Sequence, residues 1–162
     1  MTSVFVKRMQ AGQNRSIARV EVAGLPPVEP APEFAGYAAT VAALRRDQWV
    51  EHLGFARIEA ATLDRLVIDP CPAQDFNGAD FLYFSSFQAF VDRAEWTFLR
   101  PDPRATTRTR DIVYHGNIEP GERVAVVLRG LRRGEGGFRH WCHIAREKDA
   151  APLADIFTLR DS

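Results

Sequence analysis

The chain has 162 residues, 46% apolar and 26% charged, the balance of an ordinary globular protein, and its 21 basic and 21 acidic side chains give no bulk charge to recruit nucleic acid or an anionic membrane. Its two cysteines, Cys71 and Cys142, are too few for a disulfide framework or a cysteine-based zinc cage. No apolar run reaches the length of about 18 residues that crosses a bilayer, and Met1–Met9 lacks a signal-peptide core, so a single cytoplasmic domain over 1–162 is expected.

Residues 3–9 and 14–23 read as two strands joined by a turn at Ala11-Gly12, with Ile17, Val20 and Val22 set among polar neighbours. Pro26, Pro27, Pro30 and Pro32 cannot donate ladder hydrogen bonds and mark a loop. Phe34, Tyr37, Ala38, Val41, Leu44, Gln48 and Trp49 recur at helical spacing, which predicts a helix over 33–53 that Gly54 would end. Leu66-Val67-Ile68 predicts a strand, and the proline, asparagine and glycine of 69–78 a loop. A long helix is expected over 79–99. Strands follow over 107–118, 123–132, 138–146 and 153–160, with turns at Glu119-Pro120-Gly121, 133–137 and 148–152. Short strands in turn-linked succession predict antiparallel meander pairing.

In the 79–99 helix, Phe81, Leu82, Tyr83, Phe84, Phe87, Phe90, Val91, Ala94, Trp96, Phe98 and Leu99 cover most of the circumference. A helix apolar on most sides is expected to be buried on most sides. At roughly 1.5–3 kcal/mol for each buried phenylalanine, it would dominate the core. Antiparallel strands curled around one engulfed helix make an α+β protein, a single hot-dog domain.

The segment ahead of that helix holds the candidate chemistry. Asn77-Gly78 favours a turn, and Asn77 can cap the helix, with Asp80 completing a capping box. The first amides of a helix lack intrahelical partners and hold about half a positive charge. Placed there, the Gly78 and Ala79 amides would polarise a thioester carbonyl as its oxygen becomes an oxyanion. Asp75 or Asp80 would then activate water as general base or attack directly. The apolar helix flank would form the wall for an acyl chain, with Tyr83 and Ser86 as packing residues that also line the pocket.

Asp75-Phe76-Asn77-Gly78 followed by Tyr83 resembles the signature that opens the central helix of the 4-hydroxybenzoyl-CoA thioesterase group. The longer run from Asp75 to Trp96 is similar to the second hot-dog repeat of the leinamycin-type acyltransferase/decarboxylases of polyketide biosynthesis. Phe5-Val6-Lys7-Arg8 with Asn14, Tyr114-His115-Gly116-Asn117 with Pro120-Gly121, and Ile144-Ala145-Arg146 with Ala154-Asp155 extend that similarity. The resemblance implies a thioester on coenzyme A or an acyl carrier protein as substrate, with no other cofactor. It implies a catalytic aspartate at Asp75, and a site shared between paired hot-dog domains, as a homodimer or with a hot-dog partner. Asn77, Asp80, Tyr83, Ser86 and Asn117 would line that site. Where thioesterases carry a histidine and asparagines after the glycine, this chain has Ala79, Asp80 and Phe81.

The expected reaction is therefore thioester hydrolysis or acyl transfer; the rival expectation is a non-catalytic acyl-binding subunit. A dehydratase reading needs a histidine paired with a carboxylate, which His115 could supply to Asp75 only through the fold. Arg108, Arg110, His115 and Asn117 lie along one strand, where alternating charge is the commoner explanation. Arg129, Arg132 and Arg133 suit a solvated turn better than a carrier-protein surface. His140 and His143 face opposite ways on a strand, so no metal site is expected between them.

Overall fold

The computed structural model describes residues 6–20, 23–24 and 32–161; the expected strand residues 3–5 and 21–22 and most of the proline loop lie outside them. The chain order is β1 (Val6–Arg8), β2 (Ile17–Arg19), α1 (Pro32–Arg45), β3 (Glu51–His52), β4 (Phe55–Ala56), a 3-10 turn (Arg57–Glu59), β5 (Asp64–Ile68), α2 (Pro72–Asp75), α3 (Phe84–Leu99), β6 (Thr106–Tyr114), β7 (Val124–Gly134), β8 (Gly137–Arg146) and β9 (Pro152–Asp161). The main sheet has five antiparallel strands in the order β5-β7-β8-β9-β6. The expected meander holds for β7-β8-β9. β6 instead crosses to the far side and pairs with β9, which leaves β7 free to take β5.

Alternation along the strands gives the sheet two different faces. The inner face carries Val124, Val126, Leu128, Cys142, Ile144 and Ile156, and α3 lies on it through Phe87, Phe90, Val91 and Ala94. The outer face carries Val113, Trp141 and Phe157, covered by Leu44 and Trp49 from α1 and the segment after it and by Phe55 of β4. Trp141 stacks on Phe157 at 5.5 Å between centroids, and Trp49 stands edge-on to Trp141 at 5.1 Å.

Two expected helices change length for local reasons. α1 stops at Arg45 rather than running to Leu53, because Asp47 takes a left-handed φ of 55° and Gln48 N–H donates back to the Ala43 carbonyl. Gly54 does not cap it; Leu53 (φ 47°) and Gly54 (φ 82°) form the tight turn of the β3–β4 hairpin. α3 begins at Phe84, not at residue 79, and ends at left-handed Arg100 before Pro101. Nor is α3 engulfed within one chain: Phe84 is 52% and Trp96 47% exposed, so its apolar girth exceeds what one sheet covers.

Candidate active site at the start of the central helix

The loop from Asp75 to Tyr83 is a closed hydrogen-bonded unit. Phe76 and Leu82 form an antiparallel bridge across its neck, and Tyr83 N–H donates to the Asp75 carbonyl at 2.7 Å. Inside it, Asn77 Oδ1 accepts from Ala79 N–H at 2.9 Å and Phe81 N–H at 3.1 Å, and Asp80 N–H donates to the Asn77 carbonyl at 2.9 Å. These bonds hold the amides that would otherwise open a helix at 79, with Asp80 at a φ of 58°. Asn77 is therefore the organiser of a loop and not the cap of α3; Tyr83 occupies the cap position without a side-chain bond.

Three polar side chains from elsewhere fix this loop. Asn117 Oδ1 accepts from Leu82 N–H at 2.9 Å while its amide donates to the Leu82 carbonyl at 3.3 Å. The fully buried Asn14 donates to the Ile118 carbonyl at 2.8 Å and to the Asp80 carbonyl, and accepts from Arg8 Nε at 2.8 Å. Arg8 also donates to the Ala79 carbonyl and lays its guanidinium 4.2 Å above the Phe81 ring. The β1–β2 hairpin thus serves as a clamp on the loop.

Among the expected site residues, Asp75 is buried at the end of α2, where Oδ2 accepts from Cys71 N–H at 2.8 Å. Ser86, also buried, donates from Oγ to the Asp75 carbonyl at 3.2 Å. Gly78, Ala79 and Asp80 are exposed. The Gly78 and Ala79 amides are not helix-start amides, since α3 begins later, and that of Ala79 is already bonded to Asn77. Tyr83 does not pack inside the chain: it is 43% exposed and lies 5.1 Å from the Phe84 ring. Tyr114 donates from its hydroxyl to the Phe84 carbonyl at 3.3 Å, and burial raises its pKa. The exposed Tyr83–Phe84 pair and the first α3 amides form one patch beside Asp75. Three cavities formed by the described residues lie elsewhere.

The remaining polar candidates find partners away from this loop. Arg110 donates to Asp92 at 2.8 Å and Thr158 at 3.1 Å. Arg129 donates to the Ala61 carbonyl at 3.3 Å, and Arg132 to the Gly54 carbonyl and Glu59, both at 2.7 Å. His140 and His143 do face opposite sides: His140 meets Glu95 of α3 on the inner face, and His143 meets Asp155 on the outer one. His115 also meets Asp155, at 2.8 Å, so the carboxylate it pairs with is not Asp75. The buried Glu95 escaped the sequence reading because it sits on the polar side of an apolar helix, and only the cross-sheet partner distinguishes it from a solvated residue.

No protein-family model and no curated protein matches the sequence. Solved structures do match the fold. The 1,4-dihydroxy-2-naphthoyl-CoA thioesterase of Synechocystis superposes with a TM-score of 0.55 at 18% identity, over 60% of this chain and 79% of that one. A Thermus thermophilus thioesterase crystallised with coenzyme A and zinc gives 0.55 at 14% identity, over 62% and 84%. Mouse thioesterase superfamily member 2 gives 0.53 at 15% identity, over 63% and 77%. This chain therefore has the hot-dog fold, an antiparallel sheet carrying one long helix, that these thioesterases share.

Proposed function

We propose that the chain processes acyl thioesters of coenzyme A or an acyl carrier protein, by hydrolysis or acyl transfer, in polyketide-type biosynthesis. The observation that carries this reading is the bridged Asp75–Tyr83 loop of a hot-dog fold, which ties the main chain of the buried Asp75 to Tyr83 and Ser86 at the start of α3. Asp75 acts as base for water or as nucleophile. The exposed Gly78 amide and the Phe84 and Ser85 amides, which open α3, are the oxyanion donors. Asn77 and Asn117 hold the loop in shape. Asp80, Tyr83 and Ser86 complete its lining. A second hot-dog domain, a copy of this chain or a partner subunit, covers the exposed Tyr83, Phe84 and Trp96 and closes the site. Asp75→Asn keeps an acceptor for Cys71 N–H, so it is expected to preserve the fold and abolish thiol release from a preferred acyl-CoA. Unchanged turnover removes Asp75 from the chemistry.

A second reading is favoured by the bonds already made at this loop. Asp75 Oδ2 and the Ala79 amide are both engaged within the chain. On that reading the domain binds an acyl chain without turning it over, and completes the site of a hot-dog partner. Silence of the purified chain across a panel of acyl-CoAs, with activity regained on adding a co-encoded hot-dog protein, selects it.

A further inference from the structure

The outer face holds a cluster that the thioester site does not use. His115 follows β6, His143 lies on β8 and Asp155 on β9, on the side that carries Trp141 and Phe157. Asp155 Oδ2 lies 2.8 Å from His115 Nε2, while Oδ1 lies 2.9 Å from His143 Nδ1 and accepts from Trp141 Nε1 at 2.8 Å. Burial opposes charge on Asp155, but the bonds from His115, His143 and Trp141 outweigh it and hold the carboxyl well below its usual range. An ionised Asp155 is an acceptor only, so it fixes both tautomers: His115 carries its proton on Nε2 and His143 on Nδ1. His115 Nδ1 and His143 Nε2 are left as acceptors with no protein partner among the described residues, and the two side chains are 13% and 18% exposed.

A cavity of about 370 Å³, within the size range of small-ligand sites, is lined by both imidazoles and Asp155. Leu44, Trp49 and Trp141 give it an apolar wall, and Arg45 and Arg129 stand on its rim. Arg57 is also present but is held by a two-point ion pair to Asp47. Arg129 uses only one terminal nitrogen in its bonds to Ala61 and Thr62, which leaves the rest of its fork available.

We infer that this pocket is a second ligand site, built for a small organic carboxylic acid with an apolar body. The carboxylate meets the Arg129 fork and the Arg45 charge, and the body lies against Leu44, Trp49 and Trp141. A proton taken from solvent as the carboxylate binds joins His143 Nε2, giving an imidazolium that donates to the bound carboxylate while Nδ1 keeps its bond to Asp155. Only an O–H bond breaks and an N–H bond forms. The charged and titratable groups facing this imidazole are Asp155 and His115, Arg129 from β7, Arg45 and Asp47 from α1 and just beyond it, and Arg57. The inner-face reaction and this site sit on opposite sides of the sheet, so neither reading depends on the other.

The test is calorimetric titration of the full chain with benzoate and with hexanoate, and with benzamide as the uncharged control. Saturable binding of an acid but not of benzamide is expected, tightening as pH falls because binding takes up a proton. His143→Gln and Arg129→Gln are each expected to weaken it about tenfold or more. Arg129 is half-buried and outside the inner core, so its variant keeps the test valid if His143→Gln fails to fold. Absence of saturable binding by either acid, or equal affinity in the folded variants, overturns the inference.

Discussion

Glu95→Gln tests the most demanding feature of the core. Glu95 lies on α3 with its side chain 1% exposed, and Oε2 is 2.7 Å from Nε2 of the wholly buried His140. Oε1 is 2.7 Å from Arg160, and Arg110 stands 3.9 Å from Oε2. Burial would raise the carboxyl pKa, but hydrogen bonds from His140 and Arg160 outweigh it and the net shift is downward. Glutamine keeps the shape and removes the charge, leaving the buried His140 without its carboxylate and Arg110 and Arg160 with only the half-exposed Asp92. Breaking a buried pair from one side costs about 3 kcal/mol at the lower end, which in a domain of this size is about 6–12 °C in Tm. A carboxyl depressed in the folded state stabilises fully above its unfolded value of 4.5 and less as pH falls through its folded value. The gap between wild type and variant is therefore widest near neutrality and narrows in acid. Urea unfolding followed by tryptophan fluorescence, repeated down the pH scale, measures both. A difference at pH 7 within about 0.5 kcal/mol, the range of a surface substitution, would refute the reasoning.

Asn14→Ala strands the Ile118 and Asp80 carbonyls and takes one acceptor from Arg8, at a cost of about 1–3 kcal/mol. Hydrogen exchange is expected to quicken at residues 79–82 while the β7–β8 amides stay protected; uniform exchange would show that the hairpin is no clamp. Gly137→Ala sets a Cβ 2.0 Å from the Arg160 carbonyl oxygen at a φ of 152°, a backbone clash at the head of β8 that is expected to lower Tm more than any surface change. Gly130→Ala brings a Cβ to 2.6 Å from the Phe55 ring, which can be relieved by moving one side chain, so a loss of about 1–3 kcal/mol is expected. Thermal melts rank the two, and the reverse order would contradict the packing.

Strand positions were legible because alternation and turn residues act locally: the last three strands fall within two residues of their expected bounds. Pairing was not. β6 joins β9 across the sheet, and nothing in 107–118 reveals a partner some forty residues on. The start of α3 was misplaced because aromatic density reads the same in a helix and in the bridged loop before it. Asn77 decides between them by accepting two amides at once, a local alternative to a cap that spacing does not distinguish. Helical girth was read correctly and interpreted too narrowly: Phe84 and Trp96 are apolar, but one sheet leaves them exposed.

The histidines show how one alternation rule separates two chemistries. His140 and His143 lie three residues apart on β8 and so address opposite faces, and each meets a carboxylate there. On the inner face the carboxylate is Glu95, shared with two arginines and shut away from water; beside it, burial pushes the Cys142 thiol well above its ordinary range, which leaves it inert. That side is a locked core. On the outer face the carboxylate is Asp155, shared with a second imidazole and an indole and bordering an open cavity. The same residue pairing therefore sits in a sealed core on one side and beside a cavity on the other, and what differs is what the rest of the ring meets. His140 Nδ1 meets the Cys142 sulfur at 3.4 Å, while the His143 ring lines the cavity.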